Sequence, residues 1–115
     1  MTDALIELLS TYKYPVIRQG SLAPDAPYPD IFITFWNRDE SGHSYYDNDT
    51  ANVVYQFDVN CYGKNPTTVY DTIDSIRTLL KSNGWIIVSR AYDVASDEIS
   101  HIGRGIEVEY LKTEN

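Results

Sequence analysis

Residues 53–62 read Val-Val-Tyr-Gln-Phe-Asp-Val-Asn-Cys-Tyr, and their alternation decides the fold. Successive side chains of a strand point to opposite faces, so Val53, Tyr55, Phe57, Val59 and Cys61 share an apolar face. Val54, Gln56, Asp58, Asn60 and Tyr62 share the other, more polar face. Such a strand packs one side on a core and leaves the other polar. Immediately downstream, Asn65 is placed to cap a helix with Pro66 in its first position, and Lys81, Asn83 and Gly84 mark its end. The apolar stripe Val69, Ile73, Ile76 and Leu80, widened by Leu79, lays this helix across the sheet.

Beyond the helix, Trp85 to Ala91 alternates as a strand. Gly105 to Leu111 does so again, with Ile106, Val108 and Tyr110 inward and Glu107 and Glu109 outward. The residues between, 91–104, form a polar connection. Upstream, Ile31 to Trp36 (IFITFW) is apolar on both faces, as expected of a strand near the middle of a sheet with helices on one side and another subunit on the other. Residues 37–50, NRDESGHSYYDNDT, lack core periodicity and read as a long connection. Residues 20–29 hold three prolines and read as a braced loop, preceded by a brief strand over Val16 to Gln19. At the start, Thr2 caps a short helix with Leu5, Leu8, Leu9 and Tyr12 along one face, closed by Pro15. The expected fold is α+β: one domain over 1–115, a mainly antiparallel sheet of four to five strands, and two helices packed on one face.

Composition narrows the function. The chain has 115 residues, 17 Asp plus Glu against nine Lys plus Arg, a net charge of −8 and ten Tyr. Tight binding to a nucleic-acid backbone is disfavoured by that charge. Tyrosine in such number suits packed interfaces. No run of 18 apolar residues is present, so a membrane-spanning helix is not expected, and the acidic start MTDALIELLSTYK does not resemble a signal peptide.

Each chemical motif resolves into a structural one. Gly63-Lys64-Asn65-Pro66-Thr67-Thr68 ends like a phosphate loop, but the upstream glycine is missing and Asn follows the lysine, so it reads as a capped strand-to-helix turn. Cys61, the single cysteine, lies on the apolar strand face and behaves as a small hydrophobe. His43 and His101 fall in loops without convergent ligands and read as surface residues. Asp47-Asn48-Asp49 lacks the glycine and terminal glutamate of a calcium loop. Glu107 and Glu109 stand about 7 Å apart on one strand face, a spacing known from glycosidases, but without a cleft they form a polar face. No catalytic residue, cofactor or metal site is expected, and the protein is read as a non-enzyme.

The order of elements, with Tyr14-Pro15-Val16-Ile17, Ala26-Pro27-Tyr28-Pro29 leading into Ile31-Phe32-Ile33, the strand Tyr55 to Tyr62, Leu79-Leu80, Gly84 and the closing Gly105 to Tyr110, resembles the tail terminator and head-to-tail joining (tail completion) proteins of tailed bacteriophages. The likeness covers nearly the whole chain, through patterns of strand and loop. It implies a structural protein of the virion neck, made in the host cytoplasm, that assembles as a ring, commonly a hexamer. Its partners would be the tail tube protein and the head connector or adaptor, with DNA passing through the centre without sequence-specific binding. The family has no enzymatic activity to carry over.

Subunits of a closed ring meet head to tail, and long loops are natural arms toward a neighbour. Arg38, Asp39, Glu40, His43, Tyr45, Tyr46, Asp47 and Asp49 of the 37–50 segment are therefore the candidate channel or inter-subunit residues, with the 92–101 loop as a second channel-lining candidate. Acids on the wall repel phosphate. The alternative from another class is a small acidic inhibitor or DNA mimic. Its acids would have to line one face, whereas here they are interspersed with Arg18, Arg38, Lys64, Arg77, Lys81, Arg90 and Arg104. Reversing the charge of Asp47 and Asp49 together is expected to impair DNA retention or particle assembly; unchanged particles would remove this segment from the channel.

Overall fold

The computed structural model describes residues 2–18, 29–42, 51–96 and 101–114. Its elements in chain order are α1 (Thr2–Ser10), β1 (Val16–Arg18), β2 (Ile31–Gly42), β3 (Ala51–Gly63), α2 (Pro66–Ser82), β4 (Ile86–Ile87), β5 (Tyr92–Val94) and β6 (Ile102–Glu114). They build an α+β fold with one six-stranded sheet in the order β1-β2-β3-β6-β4, β5 also pairing with β6. Every pairing is antiparallel except β1 with β2.

The alternating strand sits at the centre of this sheet. Phe57, Val59 and Cys61 are fully buried and join Ile33 and Phe35 of β2, Ile106 and Val108 of β6, Leu5 and Leu9 of α1, and Val69, Ile73, Ile76 and Leu80 of α2 in one core cluster. Both helices therefore lie on the same face. The ends of α2 are fixed as its sequence requires. Asn65 accepts hydrogen bonds from the backbone N–H groups of Thr67 (3.0 Å) and Thr68 (3.4 Å), with Pro66 following. At the other end Gly84 takes φ = 88°, a left-handed conformation that suits glycine, and the Trp85 N–H returns to Leu80 O. That turn drops Trp85 edge-on against Phe57 at 5.8 Å.

Several expectations need correction. The second strand does not end at Trp36: β2 continues to Gly42, so Asn37, Arg38, Asp39 and Glu40 are strand residues and not part of a loop. A bulge between Asn37 and Asp39 lets the backbone ladder with β3 continue through a polar stretch without alternation. The strand expected over Trp85 to Ala91 shrinks to Ile86–Ile87, because Trp85 belongs to the helix-ending turn and Ser89 Oγ, not a backbone group, meets the Glu107 N–H. Residues 92–94, expected in a connection, form β5 against Gly103 to Gly105. His101 is not a surface residue: it is 5% exposed, its Nε2 is 2.7 Å from Pro29 O, and its ring lies 6.0 Å from Phe32.

The sheet is longer than its helical cover. Thirteen residues of β3 or β6 extend about 44 Å, whereas the 17 residues of α2 extend about 25 Å. The molecule measures 50 × 28 × 23 Å with a radius of gyration of 15.3 Å, against about 13 Å for a compact chain of this length. Phe57→Ala and Ile76→Ala are each expected to lower unfolding stability by about 2–5 kcal/mol. Leu111→Ala, at a half-exposed position, is expected to cost less than about 0.5 kcal/mol. Urea titration of the three variants checks the contrast.

Candidate interaction surface

The face of the sheet away from the helices carries the even-numbered side chains of β3. Register aligns them in rows: Thr34, Asn60 and Gly105; Trp36, Asp58 and Glu107; Gln56, Glu109 and Ile86; Val54 and Leu111. At one end this face closes on itself. Tyr62 stacks on Phe32 at 5.5 Å and lies flat on Gly103, where an added Cβ would fall 2.7 Å from the Tyr62 ring. Asn60 sits over Gly105 in the same way, and a Cβ there would collide with Asn60 Oδ1. Val54 and Tyr62, expected on a polar face, are each 7% exposed, so the apolar content of this side is larger than the alternation suggested.

Toward the other end the face opens. Gln56 donates to Glu109 Oε1 at 2.7 Å in a half-buried polar centre. Around it stand Trp36 (49% exposed), Ile86 (53%), Val88 (47%) and Leu111 (51%). Trp36 lies on the β2 margin, and Ile86 and Val88 on the β4 margin beyond β6. Half-exposed apolar residues flanking a satisfied polar centre form a surface that gains by being covered. Sequence reading missed these four as a group. Their signal was parity: Leu111 is in phase with the outward Glu107 and Glu109, and Trp36 closes an apolar strand.

Of the candidate residues, Arg38, Asp39 and Glu40 lie on β2 beside its bulge, in the part of the sheet that outruns α2. His43, Tyr45, Tyr46, Asp47 and Asp49 lie outside the described residues. In the second candidate segment, Tyr92 to Val94 are strand, and Asp97 and Glu98 lie outside the described residues.

The helix face offers little chemistry. Arg104 pairs with Asp93 at 2.9 Å and lies 4.7 Å over the Tyr70 ring, while Tyr70 Oη donates to Asp93 at 3.2 Å; this exposed triad ties the start of α2 to β5 and β6. No group of three His, Cys, Asp or Glu able to hold a metal occurs among the described residues, and no described helix is long and apolar enough to cross a membrane. Burial pushes the Cys61 thiol up from 9.0 to about 12, a hydrogen bond with Thr72 opposing the shift. Compared with known proteins, the chain matches no protein-family model and no curated protein.

Thiolate is the reactive form of cysteine, so a rise of three units lowers its fraction at pH 8 about a thousandfold. Cys61 is therefore expected to stay unmodified by a small disulfide reagent in the native protein and to react stoichiometrically in urea, as followed by absorbance.

Proposed function

We propose that this chain is a structural virion protein of a tailed phage that closes into a ring, capping the tail tube and joining it to the head connector with DNA passing through the centre. One observation carries the reading: a sheet that outruns its helix layer and holds Trp36 at one margin and Ile86 and Val88 at the other, on the side no described helix covers. A head-to-tail ring needs two different patches on each subunit, facing opposite ways, and these two margins supply them. Six subunits is the number that the family resemblance suggests.

The acidic balance supports the same reading, since a wall of net negative charge lets phosphate pass without holding it. The DNA-mimic alternative gains less. A mimic concentrates its acids on one face, but Asp71 and Asp74 are exposed on α2, while Glu107 and Glu109 stand on the opposite side of the sheet.

Native mass spectrometry over a concentration series, with negative-stain imaging of the largest species, tests the proposal. The expected outcome is one closed oligomer with a central hole, which binds the end of isolated tail tubes. A protein that stays monomeric at every concentration and ignores tube ends overturns it.

A further inference from the structure

The margins of the sheet have unpaired backbone as well as exposed side chains. On the outer side of β2, β1 reaches only Ile33 to Phe35. On the outer side of β6, β5 covers Gly103 to Gly105 and β4 covers Val108 and Glu109. Among the described residues, no strand pairs with the outer edge of β2 from Trp36 to Gly42 or of β6 from Tyr110 to Glu114. The two stretches lie at the same end of the sheet, because Gly42 pairs with Val53 and Val53 with Lys112. An open edge is a template for another strand.

We propose that these two edges pair with each other between copies of this chain, residues 110–114 of one subunit against residues 39–42 of the next. The proposal deepens the ring reading above and rests on it. Three features select a second copy as the occupant. First, β2 and β6 are both antiparallel to β3 and therefore run in the same direction, so a neighbour generated by rotation about an axis along the strands adds β2 to β6 as a parallel pair and continues the sheet. A two-fold axis would instead set β6 against β6, antiparallel.

Second, the backbone is in phase for this pairing. The Glu107 N–H donates to Ser89 Oγ and its carbonyl accepts from Val88, both on the outer side, so Leu111 and Thr113 also point outward. The Ile33 N–H meets Pro15 O on the outer side of β2, and the bulge shifts that phase by one, turning Glu40 and Gly42 outward. Third, Trp36 precedes the paired run by three residues, which brings the neighbour's copy of it level with Ile86 and Val88 of β4 on the same face. Each subunit thereby covers the apolar margin of the next.

Proline removes one N–H without disturbing a ladder on the other side. Thr113→Pro and Glu40→Pro therefore remove an outward donor while leaving the pairing with β3. Each variant alone is expected to lose closed oligomers by about tenfold or more at an unchanged urea midpoint. A mixture of the two, which restores one intact joint, is expected to give dimers and no rings. Rings that persist in both variants overturn the edge pairing and leave the ring standing. Loss in Thr113→Pro with Glu40→Pro unaffected points to a two-fold β6 pair and also overturns it. A wild-type chain that never closes removes the ring and the pairing together.

Should a proline variant unfold, the double variant Trp36→Cys/Val88→Cys supplies the test, Cys61 being buried. A short bis-maleimide is expected to link it into covalent multimers, whereas each single variant gives none. Absence of multimers from wild-type-sized rings overturns the proposed register.

Discussion

From Val53 to Gly63 the backbone of β3 lies between two partners, β2 on one side and β6 on the other. A strand placed this way has its amide groups satisfied without water, and only then can it occupy the middle of a sheet. The pairing also fixes which side chains go where. A slip of one residue would turn Phe57, Val59 and Cys61 out of the core and put Asp58 and Asn60 into it, so register and hydrophobic pattern enforce each other. Helix α2 follows from the same constraint, since its buried stripe has only this face to pack on. The Asn65 cap and the Gly84 turn set where the helix starts and where the chain returns to the sheet.

What the sequence made legible is what burial writes into residue pattern. The central strand, both ends of α2, the buried faces of the two helices and the core position of Cys61 could all be read, because each couples a period to a packed face. The far half of β2 could not. Asn-Arg-Asp-Glu-Ser-Gly has the composition of a loop, and what makes it a strand is backbone pairing to a neighbour distant in sequence, aided by a bulge. His101 was misplaced for a similar reason: its partners, Pro29 O and the Phe32 ring, lie some seventy residues away. The candidate residues chosen as loop arms were thus divided, three onto a strand and five outside the described residues.

The two sides of the sheet carry different kinds of information. On the helix side, exposed charges such as Arg104 and Asp93 tie elements together and contribute little on their own. On the other side, apolar residues stand at the margins while hydrogen-bonded polar residues fill the centre. A monomer has no evident need of that arrangement. It is the order in which a surface would be built if its edges were to be joined and its middle left in contact with water.

The glycines of β6 bear on how such a chain can drift in sequence. Tyr62 and Asn60 lie directly over Gly103 and Gly105, taking the space where a side chain on the neighbouring strand would stand. These positions form two interlocking pairs, so a larger residue at 103 or 105 becomes viable only after Tyr62 or Asn60 has been cut back. Relatives of this protein would then be separated here by paired exchanges, with the bulk passing from one strand to the next while the thickness of the sheet stays constant.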